Sequence, residues 1–284
     1  MTEIASTATL DQIQSLKKSE RMPVLFIGHG SPMNAIEDNE YRRSWQALGA
    51  QFGSTLSQPQ LILCISAHWL TTGWWLTGMA QPKTIHDFGG FPQELFDQQY
   101  PAPGDPDAAQ ALSLLIRQRQ STPLGLDTGE WGLDHGAWSV LKPMFPDADI
   151  PVIQLSMDYG RPPEDHYALA RQLKALRERG VLIVGSGNIV HNLRAARWSG
   201  AGSEAYDWAL EFDTVTGEHI AQGRLDALQD FQKLGTVAQQ AHPTYEHYLP
   251  LLYAAGAVDA AEPPRFFNTS FQLASISMRS VIWG

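Results

Sequence analysis

Val24-Leu25-Phe26-Ile27-Gly28-His29-Gly30-Ser31-Pro32 is a short apolar run that ends on a glycine, presents a histidine and turns away on a second glycine and a proline. Runs rich in Val, Ile and Leu are what strands covered on both faces look like. The same grammar recurs in Leu61-Ile62-Leu63-Cys64-Ile65-Ser66-Ala67-His68 and in Val181-Leu182-Ile183-Val184-Gly185, which runs on to His191. A fourth stretch, Pro243-Thr244-Tyr245-Glu246-His247, also ends on a histidine. In open α/β sheets, ligands bind outside the carboxyl ends of the strands, where diverging loops leave a crevice. Imidazoles delivered to one crevice from separate strands can share an ion, so the pattern predicts a metal centre.

Outward from the first run, Trp45, Leu48 and Phe52 fall on one face of a helix expected from about Asn39 to Phe52. The strand at 61–65 is followed by residues 73–104, dense in Gly, Pro and aromatic residues. A long punctuated loop of this kind is expected to form a wall or lid over the site. Asp107 is expected to cap a helix reaching about Gln118, and Gly129 to Trp138 reads as a Gly- and Trp-rich turn. Pro151 to Ser156 is a third buried strand, and Pro163 to Arg179 a helix stopped by Gly180. Further helices are expected from about Glu204 to Gln222, at 225–233 and, begun by Pro243 and capped by Thr244, to near Gly256; an alternating strand, Ser275 to Ile282, closes the chain. The alternation predicts a three-layer α/β/α fold around a mostly parallel sheet. A flexible arm over 1–20 precedes a single domain over 21–284.

A formal charge of −10 with no basic cluster beyond the pairs Lys17-Lys18 and Arg42-Arg43 argues against a nucleic-acid partner. Cys64, the single cysteine, lies inside a predicted strand and has no internal partner, which fits a reducing cytoplasm. The first residues lack the apolar core of a signal peptide, and no stretch approaches the roughly 18 apolar residues of a membrane span. A soluble protein without a membrane partner is expected; composition is silent on oligomeric state.

Of nine histidines, His29 and His68 follow strands directly and have small neighbours that leave room for an ion or substrate. His191 follows the Ser186-Gly187-Asn188 turn, where it serves as a ligand or as a proton-transfer group. Glu246 and His247 compete for one further ligand position. His135, in Asp134-His135-Gly136 between Trp131 and Trp138, suits hydrogen bonding to a bound ligand, and His86 in the expected lid is a candidate substrate contact. His242 reads as a turn residue, and His166 and His219 as solvated helical residues.

Taken together, Gly28-His29-Gly30-Ser31-Pro32-Met33, Ser66-Ala67-His68-Trp69, His86-Asp87-Phe88-Gly89-Gly90-Phe91-Pro92, Asp134-His135-Gly136, Gly187-Asn188-Ile189-Val190-His191-Asn192-Leu193 and Glu246-His247-Tyr248-Leu249-Pro250 resemble the class III extradiol ring-cleavage dioxygenases, and most closely their DOPA extradiol subgroup. The likeness runs from about residue 22 to the C-terminus. It implies a catalytic domain with one divalent metal ion, Fe(II) for activity or Zn(II) as bound, that inserts O2 into a catecholic substrate beside its hydroxyls. His29 and His68 would be ligands, with His247 favoured over Glu246 as the third. His191 would be the acid/base histidine, close enough to touch the metal, and His135 would hydrogen-bond oxygen or substrate. Two other readings compete: a zinc hydrolase using Glu246 or Asp134 as base, and a Memo-like binding protein.

Overall fold

The computed structural model describes residues 13, 16–118, 122–198 and 204–284. In chain order the main elements are β1 (Val24–Gly28), α1 (Glu40–Gly49), β2 (Leu61–Ser66), α2 (Pro106–Leu115), α3 (His135–Met144), β3 (Val152–Gln154), α4 (Pro163–Ala170), β4 (Val181–Gly187), α5 (Asp207–Ala221), α6 (Leu249–Gly256), β5 (Pro264–Phe267) and β6 (Ser280–Trp283). The sheet runs β5-β6-β1-β4-β2-β3. Pairings β1/β4, β4/β2 and β2/β3 are parallel, and β6 lies antiparallel between β1 and β5.

Every residue of β1, β2 and β4 is buried, which is why these strands read as unbroken apolar runs rather than as alternations. Successive side chains go to opposite faces. Val24, Phe26, Leu63 and Ile183 enter one core with Leu112 of α2, Leu169 of α4, Phe212 of α5 and Leu252 of α6. Leu25, Ile27, Cys64 and Val184 enter the other with Trp45 of α1 and Trp138 of α3. The fold is the expected mixed α/β architecture, with helices on both faces of a mostly parallel sheet. The register pairs Gly28 with Gly187 and Ser66 with Ser186, so three carboxyl ends finish level. Among the described residues no helix is long and apolar enough to cross a membrane.

Several expectations differ in detail. The cap of α2 is Asp105, whose side chain accepts from the Ala108 amide with Pro106 in the first turn, so Asp107 sits inside the helix, which ends at Leu115. The stretch 163–179 divides into α4 and a 3-10 segment, Leu173–Arg179, that ends on left-handed Gly180. Residues 135–144 are helix α3 rather than turn, capped by the Asp134 carboxylate on the Ala137 amide. Thr244 caps nothing: α6 starts at Leu249, and the Thr244 hydroxyl donates to Glu246. The terminal strand is interrupted, because Ile276–Ser277 pairs with Phe271–Gln272 while Ser280–Trp283 joins the main sheet.

Of the arm expected over 1–20, residues 1–12 and 14–15 lie outside the described residues. Ile13 and Leu16 are buried in the first core, and the Lys17 amide donates to Gln60, so the end of that stretch is packed. The segment 73–104 is pinned rather than free: Trp75–Thr77 pairs with Gly125–Asp127, and Lys83–Thr84 with Gly132–Leu133.

Candidate metal centre and active site

His29 leaves β1 and His68 follows β2, while His247 reaches the same point from the turn ahead of α6. What holds that turn against the sheet is backbone: the Asn188 amide, just past β4, donates to the His247 carbonyl at 2.8 Å. Gly187 is required by this approach, since a Cβ there would lie 2.2 Å from the His247 oxygen. The ligand nitrogens of His29, His68 and His247 all lie within 4.8 Å of one another. His29 Nε2 and His68 Nε2 are 3.4 Å apart, too close for two rings with nothing to share unless a proton or an ion lies between them.

Each ring is oriented by what lies behind it. The Ser186 hydroxyl donates to the Gly136 carbonyl, so it accepts from His29 Nδ1 at 3.0 Å, leaving His29 Nε2 as the lone-pair nitrogen. His247 Nδ1 is 3.1 Å from the Glu246 carboxylate, and its Nε2 is buried without a hydrogen-bond partner. An orphaned buried nitrogen facing two further imidazoles fits a divalent ion, and imidazole donors suit zinc and iron alike. Glu246 backs His247 instead of joining the three imidazoles, although His191, Glu246 and His247, and likewise His68, Asp87 and His135, form two further sets within the same spacing.

The three imidazoles are neutral at pH 7. Burial pushes His29, His68 and His247 well below the ordinary histidine value, and the neighbouring histidines push further in the same direction. His191 stacks on His247 with ring centroids 3.5 Å apart and planes within 7°. Burial first, then His242 and His135, lower its pKa to about 3, well away from the value near 6.5 expected of an unperturbed imidazole. His135 opens α3 with its ring 3.8 Å from that of His68. Its Nδ1 lies 2.9 Å from Asp87.

His29, His68, His135, His191 and His247 all line one cavity of about 730 Å3. Its walls include Phe88 and Phe91 from the 73–104 segment and Phe271 from the C-terminal hairpin, so that segment does form a wall. His86 is not part of the lining: it is held by the Gln98 carbonyl and packs against Trp138 and Phe96. Neither carboxylate that a metal hydrolase would use as base lines the cavity. Asp134 is fully buried and accepts from Ser66, Gln154 and the Ala137 amide, while Glu246 is engaged by Thr244 and His247. His166 and His242, expected on the surface or in a turn, are buried and lie outside the cavity lining. Ser186 and Asp87 were not legible as site residues, since each meets its histidine across a long stretch of sequence.

Comparison with known proteins finds relatives over nearly the whole chain. Residues 23–281 match the family described as the catalytic LigB subunit of aromatic ring-opening dioxygenase. The chain is 48% identical over 271 residues, 94% of its length and 96% of the relative's, to the 4,5-DOPA dioxygenase extradiol of Escherichia coli K12. It is 35% identical to the protein of that name from Beta vulgaris, over 87% of this chain and 90% of the relative. Among solved structures, it is similar to an uncharacterized protein from Escherichia coli K12 with a TM-score of 0.79 and 43% identity, covering 93% of this chain and all of that one.

Proposed function

The chain belongs to the LigB family of aromatic ring-opening dioxygenases and is an extradiol ring-cleavage dioxygenase, and from that premise we propose that it opens a DOPA-like or related catechol on an ion held by His29, His68 and His247. The relatives' names support the choice of a catechol with a DOPA-like side chain. The observation that carries the ligand set is the orphaned His247 Nε2 facing the ring nitrogens of His29 and His68. When bound there, a divalent ion supplies chelation of both catechol oxygens and, as Fe(II), the redox chemistry that engages O2; Zn(II) fits the same donors without that chemistry.

The protein's own groups do the rest. Three neutral imidazoles leave the full ionic charge to attract a catecholate, whereas a carboxylate ligand would cancel part of it. Phe88, Phe91 and Phe271 enclose the aromatic ring and exclude water. His191, on the cavity wall and stacked on His247, accepts a hydroxyl proton at a ring nitrogen and returns it during ring opening. His135, beside His68 in the lining, contacts the substrate through the nitrogen that Asp87 does not hold. A cytoplasmic setting suits a buried, unpaired Cys64.

The test is anaerobic reconstitution of metal-free protein with Fe(II) or Zn(II), then oxygen with a catechol panel that includes L-DOPA. Oxygen uptake and a yellow ring-fission product are expected with iron alone. Absence of turnover across the panel in iron-loaded protein would overturn the reading.

A further inference from the structure

The geometry points to Asp87 as the residue that fixes His135 in one tautomer, so that His135 Nε2 accepts a hydrogen bond from a substrate hydroxyl. This rests on the catechol reading above and adds a positioning residue to it. One carboxylate oxygen, Asp87 Oδ1, accepts twice from the same residue: from the His135 backbone amide at 2.9 Å and from His135 Nδ1 at 2.9 Å. A carboxylate only accepts, so the proton of a neutral His135 resides on Nδ1 and the lone pair on Nε2. Among the described residues no protein group is bonded to that Nε2, and His135 lines the cavity beside His68 and His191.

Asp87 is itself held in place. The Ile85 amide donates to the Leu133 carbonyl at 2.7 Å, and the Trp138 indole donates to the Ile85 carbonyl at 2.9 Å, so the loop is anchored on both sides of α3's first turn. The next residue, Phe88, lies edge-on to the His135 ring at 5.5 Å and also forms cavity wall. One short loop therefore orients the histidine and shapes the space in front of it. The other oxygen, Asp87 Oδ2, is 3.8 Å from His68 Nδ1, within ion-pair reach but beyond hydrogen-bond length, so the carboxylate's imidazole hydrogen bond goes to His135.

The experiment joins spectroscopy to a double-mutant cycle in metal-loaded protein. In the Zn(II) form, nitrogen-15 spectra of labelled histidines should show His135 protonated at Nδ1 only; Asp87→Ala should lose that single-tautomer signature while the signals of His29, His68 and His247 persist. In the Fe(II) form, Asp87→Ala should lower kcat about 10- to 100-fold with KM little changed, and should cost nothing further in a His135→Ala background. Asp87→Asn, which keeps the accepting oxygen, should restore the tautomer and most of kcat. The proposal fails if the two alanine effects multiply, or if the loss follows metal content, which would move the role to His68. Where the alanine variant does not fold, the wild-type spectrum decides, since an Nε2-protonated His135 overturns the assignment. If no catechol is cleaved by iron-loaded wild type, the functional reading falls, and the tautomer comparison still judges Asp87.

Discussion

At the scale of single residues, the neighbours Glu246 and His247 divide one task between them. His247 presents a buried, unpartnered Nε2 to the other two imidazoles, and Glu246 grips its Nδ1 from behind. His247→Ala should therefore abolish tight metal binding, whereas Glu246→Gln should weaken it by roughly 10- to 100-fold, the usual cost of an outer-shell partner. Metal titration followed by equilibrium dialysis reads both, and the opposite ranking would make Glu246 the ligand. His191 separates binding from turnover in the same way. Because it stacks on His247 without belonging to the three imidazoles that converge, His191→Ala should keep its metal while turnover falls about 10²- to 10⁴-fold, the range for a lost acid/base group. Normal turnover in that variant would remove its role.

Among elements, the point of greatest constraint is where the turn before α6 meets the end of β4. Gly187→Ala would drive a methyl group into the His247 carbonyl, and the backbone on both sides is committed: β4 is central in the sheet and α6 is wholly buried. The expected cost is roughly 1–3 kcal/mol of overpacking, read as a lower Tm together with weaker metal binding, since His247 must retreat. Gly129→Ala, exposed and with open space around its Cβ position, is the control and should change neither. The same element logic explains what the sequence made legible. β1, β2 and β4 are buried on both faces, so each wrote an unmistakable apolar run and delivered its histidine or turn to a predictable edge. Helix α3 was hidden because its cap, Asp134, is buried in a side-chain network with Ser66 and Gln154, and its first residues double as site residues with the composition of a turn. Asp87 and Ser186 act through contacts 48 and 157 residues away, which no local periodicity encodes.

Across the whole molecule, buried polar groups outside the cavity bind the two ends of the fold together, and one of them should add to its sensitivity to acid. Arg177, fully buried, forks onto both oxygens of Glu262 and donates to the Met22 and Ala257 carbonyls, joining the approach to β1 with the segment after α6. Within α6, the Tyr253 hydroxyl links the Trp74 indole to His166, a histidine with no solvent exposure. Burial lowers the His166 pKa to about 4, against hydrogen bonds and carboxylates that act the other way. The unfolded chain, with histidine near 6.5, thus takes up a proton before the folded one as pH falls. The stabilisation tied to neutral His166 is fully present above about pH 6.5 and is lost as pH drops to about 4, amounting to roughly 3 kcal/mol for a difference of this size. Urea midpoints measured at pH 7, 5.5 and 4.5 should fall steeply in the wild type and less steeply in His166→Gln, which removes the titrating group while keeping a polar partner for Tyr253. Parallel declines in the two proteins would mean that His166 is not where the acid sensitivity resides.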